Sequence, residues 1–468
     1  MELIFIPYFV YFFMEISCEP RELKGWRLFG YSFGVIGQIL PTALINSYIF
    51  MFYTYTIGLD SFIVNLATGI ATLLNGILAP IFGYLGDKRA PGKFGKRKPL
   101  ILAPLPLMLL SFILLWTPPI PTNEIQTPSI IFLFVFIIVF FIQYPLLRST
   151  YLALMPELST VQSNRIKISS YQGLISIFGS VLGILLPMIL QSQLQNPREA
   201  LYYTEDGHFL LRFLPIIAII FALIAFLFTI WALYSSDESY LTNERDSCAP
   251  ISDKKSIAEV FKSLLSPFAD SNYAFFLFAT LFFNAAMRML VKILAPYLTF
   301  VLGFQGNQFN FFTFALLPFA VIGFIFWQKY TKKKGLKKSY LNSSLLISFA
   351  LFAALLLYIP MEPQIVWTVT YVLIGFALMG MVAGYILPNP IVSQLSDASK
   401  KSPSGSNSGA YFGSMLLMMN FSNTLGDLVL GFILSGNERD PIVLKAIFPI
   451  TAMLFFLSFL FAKKIQLN

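Results

Sequence analysis

The chain has 468 residues, 57% of them hydrophobic and 12% charged, with 50 phenylalanines and a formal net charge of +9. So much apolar side chain with so few charges excludes a soluble domain built around one core. The positive balance does not point to nucleic acid either, because the basic residues sit in short loops between apolar runs, where they report membrane topology.

Leu3 to Phe13 is apolar but too short to span a bilayer, and Glu2 with no early Lys or Arg argues against a secretion signal. Residues 1–25 are therefore read as an extra N-terminal segment. Twelve apolar runs follow, at 28–57, 62–86, 100–117, 129–154, 168–191, 211–234, 273–302, 308–329, 340–359, 365–387, 408–434 and 442–462. About 20 residues suffice to cross roughly 30 Å of hydrocarbon as a helix. The pattern predicts an all-α membrane protein of twelve transmembrane helices in two pseudo-symmetric six-helix bundles, one at 26–234 and one at 273–468. Between them, 235–272 reads as a cytoplasmic linker. In it Ile257, Val260, Phe261, Leu264 and Leu265 recur at helical spacing after Ser252 and Asp253, which predicts a short helix lying on the membrane surface.

The loop after the second span carries Lys88, Arg89, Lys93, Lys96, Arg97 and Lys98. The loop after the eighth carries Lys329, Lys332, Lys333, Lys334, Lys337 and Lys338, whereas 118–127 and 360–364 carry no Lys or Arg. Both basic loops, and with them both termini, are expected at the cytoplasmic face of the cell membrane. The stretch Lys334-Gly335-Leu336-Lys337-Lys338 is a faint copy of the first loop, as a parallel six-plus-six repeat requires.

Nothing in the chain suggests an enzyme. There are no paired carboxylates, nucleophile constellation or phosphate-cradling loop, so no cofactor and no metal are expected. Cys18 and Cys248 lack metal spacing, and His208 reads as a solvated residue of a polar loop. The Gly-rich stretch from Ser404 to Gly409 reads as a flexible loop.

Four stretches carry a resemblance. The first is Gly83-Tyr84-Leu85-Gly86-Asp87-Lys88-Arg89 running to Gly95-Lys96-Arg97-Lys98-Pro99, an acidic helix end beside a basic hairpin. In the first span, Phe29-Gly30-Tyr31-Ser32-Phe33-Gly34 leads to Phe52-Tyr53-Thr54-Tyr55-Thr56-Ile57-Gly58-Leu59. The fourth span ends at Tyr151, Pro156, Glu157, Leu158 and Ser159, followed by Arg165, and the seventh ends Ala295-Pro296-Tyr297-Leu298 before Leu302-Gly303. Pro388-Asn389-Pro390, Gln394 and Asp397 echo the fourth-span motif after the tenth span. Together these resemble the glycoside–pentoside–hexuronide:cation symporter family of the major facilitator superfamily, the melibiose permease and sucrose carrier group. The resemblance covers nearly the whole chain after Gly25.

That resemblance implies a secondary active transporter working by alternating access, a monomer in the cell membrane with a sugar or organic anion as its small-molecule substrate. It implies gating roles for Gly83, Asp87, Lys88, Arg89, Gly95, Arg97, Glu157, Arg165 and Asp397, with Asp87 placed to pair with Arg97. The family's second-span cation-site acids fall here on Asn75 and Ala79, its sugar-binding acids on Ile39 and Arg148, and its eleventh-span lysine near Asn420. The resemblance thus implies the fold and transport without the usual cation site.

What the spans hold instead is positive charge. Arg148 lies mid-span, Arg288 and Lys292 lie one turn apart in the seventh span, and Asp427 in the eleventh is the clear intramembrane acid. Two readings stay open. Either Asp427 pairs with Lys292 or Arg288 for structural reasons, or the arginines attract an anionic substrate group, which a planar guanidinium suits. Gln38, Asn46, Asn75, Tyr144, Asn284, Asn420 and Asn423 are polar groups in apolar spans that fit sugar hydroxyls or serve as interhelical contacts. The substrate-binding candidates are Arg148, Tyr144, Gln38, Arg288, Lys292 and Asn420, and the coupling candidates Asp427 and Asn75, for a proton or another cation. An acidic or polar sugar is the expected cargo. The alternatives are a lysolipid or other amphiphilic anion, since some relatives move lysolipids, and an uncoupled facilitator. A lipid carrier would show an apolar side opening between spans, with a cation to hold the head group.

Overall fold

The computed structural model describes residues 21–89, 95–121, 125–159, 161–236, 257–399 and 408–466. Helices dominate throughout: α1 (Gly25–Phe33), α2 (Ile36–Met51), α3 (Ser61–Lys88), α4 (Lys98–Leu102), α5 (Leu105–Leu114), α6 (Thr127–Leu158), α7 (Gln162–Ser192) and α8 (Glu205–Ser235). Then come α9 (Ile257–Leu265), α10 (Ser271–Pro296), α11 (Asn307–Lys334), α12 (Leu336–Phe352), α13 (Pro363–Ile386), α14 (Pro388–Ser399), α15 (Ser408–Leu434) and α16 (Pro441–Lys464). Among the described residues eleven helical stretches are long and apolar enough to cross a membrane. The third span is the exception, a shorter apolar pair (α4 and α5) broken at Ala103-Pro104, where proline cannot continue the hydrogen-bond ladder.

Helix starts follow local chemistry. Asp60 accepts from the Phe62 and Ile63 amides, Asp270 from those of Asn272 and Tyr273, and Asp440 from that of Ile442. These carboxylates satisfy amides that no preceding carbonyl can reach. Thr204 caps α8 in the same way, so that helix begins earlier than hydropathy suggested and His208 is an exposed residue of its first turn rather than of a loop.

The repeat is visible in backbone detail. After α2, Phe52–Thr56 widens into a π-turn, and after α10, Tyr297–Val301 does the same. Ile57 N bonds Phe52 O at 3.0 Å and Leu59 N bonds Tyr53 O at 2.9 Å; Leu302 N bonds Tyr297 O at 3.2 Å and Phe304 N bonds Leu298 O at 3.0 Å. Each turn closes on a glycine in the left-handed region, Gly58 (φ 85°) and Gly303 (φ 67°), where a Cβ would be strained.

Helices α1 to α8 pack chiefly among themselves, as do α10 to α16. The two groups meet along three seams, α3 on α15, α7 on α11 and α2 on α10. Outward faces carry large apolar side chains such as Ile219, Leu223, Val321 and Phe432, as lipid contact demands. Helix α9 packs on α3 and α15, with Leu264 buried and Leu265 exposed. The proposed caps Ser252 and Asp253, both cysteines and residues 1–20 lie outside the described residues.

Candidate functional site

The α3–α15 seam is close because small residues line it. A Cβ on Gly76 would stand 2.8 Å from the Asn420 side chain, and one on Gly431 2.8 Å from Asn65; Thr424 Oγ1 donates to the Gly69 carbonyl at 3.0 Å. Helix α10 comes equally near, since a Cβ on Gly426 would lie 2.6 Å from the Ala285 carbonyl oxygen. Three helices thus converge where the charged side chains reach one another.

Asp427 of α15 is fully buried and receives two cations from α10. Arg288 Nε donates to Oδ1 at 2.8 Å and Nη2 to Oδ2 at 3.2 Å, while Lys292 Nζ lies 2.8 Å from Oδ1. Helix α3 completes the set: Lys292 Nζ donates to Asn65 Oδ1 at 2.7 Å and to Thr68 Oγ1 at 2.8 Å, and Thr68 Oγ1 donates to Asp427 Oδ2 at 3.0 Å. From α2, Asn46 Oδ1 accepts from Arg288 Nη1 at 2.8 Å, and the Phe50 ring lies 5.8 Å from Lys292 Nζ. Two cations against one carboxylate leave this cluster one positive charge. Asp427 is seven residues before the end of α15, about 10 Å along the axis.

An apolar cavity lies against Ser47, the residue after Asn46. It is lined by Ser47, by Val181, Leu185 and Met188 of α7, by Leu290, Val291 and Leu294 of α10, by Phe312, Leu316 and Leu317 of α11, and by Ile374, Leu378 and Met381 of α13. Helices α7 and α11, which flank it, also carry exposed Phe178, Leu182, Phe311 and Phe314.

At the end of the molecule away from the basic loops, the halves are locked together. Tyr55 Oη donates to the Glu438 carbonyl at 2.7 Å, the Ser61 amide to Glu438 Oε1 at 3.1 Å, and Ser435 Oγ to Asp60 Oδ2 at 2.7 Å. Arg198 donates to the Thr299 and Phe300 carbonyls at 3.1 and 3.3 Å. Tyr55 and Phe300, equivalent positions of the two π-turns, stack with ring centroids 4.9 Å apart.

The structure brings together Arg288, Lys292 and Asp427, and separately Asn75 with Asn420, whose side chains bond at 3.0 Å. Arg148 stands apart: it is exposed, with Nη1 2.7 Å from Tyr144 Oη, and among the described residues no carboxylate pairs with it. Gln38 is buried at 1% exposure, and its Nε2 has no partner among the described groups. Arg97 meets Glu157, with Nε 2.8 Å and Nη2 2.7 Å from Oε1. A salt bridge between residues 60 apart ties the basic loop to the end of α6. Arg165 Nε donates to the Ser159 carbonyl at 2.6 Å, holding the α6–α7 turn. Gly83 lies in the last two turns of α3, Arg89 follows its end, Gly95 sits at φ 86° just before α4, and Asp397 lies in α14. The Asp87 and Lys88 side chains lie outside the described set.

Sequence reasoning missed Asn65, Thr68 and Glu438. The first two were legible as part of a stripe, Ser61, Asn65, Thr68, Thr72 and Asn75, which recurs at helical spacing along one face of α3. Glu438 had no such signal, being a loop acid.

Among the described residues, eleven long apolar helices and one shorter broken one, with charges buried between α3, α10 and α15, make up a multi-pass membrane protein. The chain belongs to the MFS/sugar transport protein family, whose profile matches residues 30–437. Sodium-dependent lysophosphatidylcholine symporter 1 of Mus musculus is 23% identical over 331 residues, 66% of this chain and 58% of that relative, so the match spans less than two-thirds of the relative's length. Among solved structures, the nucleoside transporter NupG superposes with a TM-score of 0.62 at 11% identity, covering 94% of this chain and all of that one. A D-xylose-proton symporter gives 0.62 at 14% identity, covering 92% and 96%. These likenesses establish the fold. The family and its neighbours are transporters, and this protein is a multi-pass membrane transporter, not an enzyme.

Proposed function

We propose that the protein is a secondary carrier of a single-chain amphiphile with an anionic group in its head, of the lysophospholipid class. The apolar cavity between α7 and α11 carries this reading. A sugar site needs hydroxyl partners, whereas this cavity presents leucine, valine, methionine and phenylalanine almost throughout. Its inner wall reaches Ser47, next to Asn46, which holds Arg288 of the positively charged cluster. An acyl chain in the cavity sets its phosphate toward that surplus charge, a match suited to guanidinium. The likeness to a protein named a lysophosphatidylcholine symporter agrees.

In this reading 26–234 and 273–468 rock about the seams, with 235–272 as the linker, in a monomer within the cell membrane. The basic loops and both termini face the cytoplasm, and the described state is closed at the outer end through Tyr55, Glu438 and Phe300. Arg97 and Glu157 brace the basic loop during the cycle. The finer placement among the glycoside–pentoside–hexuronide symporters is the basis of a second reading, transport of an acidic sugar, which the exposed Arg148–Tyr144 pair favours.

Proteoliposomes holding the purified chain separate the two. Uptake of a fluorescent lysophospholipid, blocked by Leu316→Trp in the cavity and insensitive to an excess of glucuronide, is the expected result. Uptake of glucuronide with none of lysophospholipid, lost in Arg148→Ala, would replace the amphiphile by the sugar acid.

A further inference from the structure

We infer that Lys292 is a built-in cation: its ammonium takes the place a coupling ion would occupy, and the carrier cycles without sodium. The observation is the surroundings of Nζ. Side-chain oxygens of Asn65, Thr68 and Asp427 lie 2.7, 2.8 and 2.8 Å away, contributed by two helices from opposite halves, while the lysine stem comes from a third. A buried nest of carboxylate, amide and hydroxyl oxygens is the donor set a hard cation takes. An ammonium donates three hydrogen bonds, and three acceptors use all of them. The side chain is fully buried and covalently tethered, so the ammonium cannot leave the seam as a free ion would.

A free sodium ion has no room in this electrostatic arrangement. Arg288 already holds both carboxylate oxygens, so a further ion would stand beside two fixed positive charges in a medium that screens them poorly. The α3 positions at which the family resemblance places cation-binding acids are Asn75 and Ala79; Asn75 spends its amide on Asn420. The residues present do not fit a sodium site, in contrast to the sodium dependence stated in the name of the mouse relative. Because the nest joins α3 to both α10 and α15, a tethered ammonium keeps the oxygens of Asn65, Thr68 and Asp427 satisfied without an ion that would have to arrive and leave.

The inference requires that the protein be a carrier but not that its cargo be an amphiphile, and its test contains no cargo. The full chain is purified in detergent, and its thermal unfolding is followed in sodium, lithium, potassium and choline chlorides at equal ionic strength. A ligand that binds only the folded form raises the melting temperature by mass action. The wild type is expected to melt at the same temperature in all four salts. Lys292→Ala vacates the nest and is expected to gain a saturable stabilisation by sodium or lithium that choline does not give. Lys292→Met, which refills the space without charge, is expected to show none, and adding Asp427→Asn to Lys292→Ala is expected to abolish it. A saturable, sodium-specific rise in the wild type overturns the inference. So does a folded, monodisperse Lys292→Ala indifferent to every ion, or one that no salt allows to fold; folding in sodium or lithium alone supports it. A wrong substrate class would leave all these readings unchanged.

Discussion

Replacing Asp427 by asparagine removes the carboxylate that Arg288 and Lys292 share and leaves two buried cations facing a neutral amide. At an effective dielectric constant near 20, each unit-charge attraction at 2.8 Å is worth about 6 kcal/mol before desolvation is counted. Desolvation cancels much of that in the intact cluster, but removing one partner leaves the burial cost in place, and measured losses for such deletions are about 3–5 kcal/mol. An unfolding entropy of about 2.1 cal/mol/K per residue gives about 1 kcal/mol/K for a 468-residue chain, so the loss corresponds to a fall of about 3–5 °C in melting temperature. The double variant Asp427→Asn with Lys292→Met restores the single surplus charge of the wild type. It is expected to recover at least about half of the loss, a coupling of about 2 kcal/mol between contacting groups. Thermal unfolding of the purified chain in detergent measures the wild type, Asp427→Asn, Lys292→Met and the double variant. Asp427→Asn melting within about 1 °C of the wild type, or single-variant effects that simply add, would refute the claim that these charges compensate one another in a low-dielectric seam.

The closed end offers a second test. Glu438→Ala loses the bonds to the Ser61 and Gly436 amides, and at about 1 kcal/mol for each net bond the closed state should weaken by a factor of about five or more. In a cysteine-free background, Leu59→Cys is expected to react correspondingly faster with a membrane-impermeant maleimide when Glu438→Ala is present; equal rates would show that this contact does not hold the end shut. Close packing offers a third. Gly426→Ala sets a methyl group 2.6 Å from the Ala285 carbonyl oxygen, a backbone atom that cannot swing aside, and should cost about 1–3 kcal/mol by thermal unfolding. Gly83→Ala meets nothing within 4 Å and should be neutral or gain up to about 1 kcal/mol from helix propensity. The same melting temperature for both variants would contradict the α10–α15 approach.

What the sequence disclosed and what it withheld divide along the range of the interactions. Spans and basic loops were legible because hydropathy and Lys/Arg asymmetry act locally, along one run of chain at a time. The broken third span was legible too, in Pro99, Pro104 and Pro106, though hydropathy alone drew it as continuous. Arg288, Lys292 and Asp427 stood out as intramembrane charges, yet their partners depend on which faces of α3, α10 and α15 meet, and no single helix specifies that. Arg97 shows the same limit: its bond to Glu157 depends on where α6 ends relative to α4, which neither helix specifies alone. Gln38 shows the same limit, because the rotation of α2 that leaves this amide 1% exposed is set by the helices packed around it and not by its own run of chain.

The two π-turns tie these levels together. Phe52-Tyr53-Thr54-Tyr55-Thr56-Ile57-Gly58 and Tyr297-Leu298-Thr299-Phe300-Val301-Leu302-Gly303 share a threonine, an aromatic and a glycine in register, and the glycine lets each wide turn close without Cβ strain. Tyr55 and Phe300, at matching positions of the two turns, stack on one another. Symmetry therefore supplies the closed end with a contact that either half alone would leave as an exposed ring. The charged nest beneath it has no such symmetry: its lysine and arginine come from α10, and α2, the matching helix, offers Asn46 and Phe50 instead. The contact at this end is thus built from what the two turns share, and the buried charge cluster from where α2 and α10 differ.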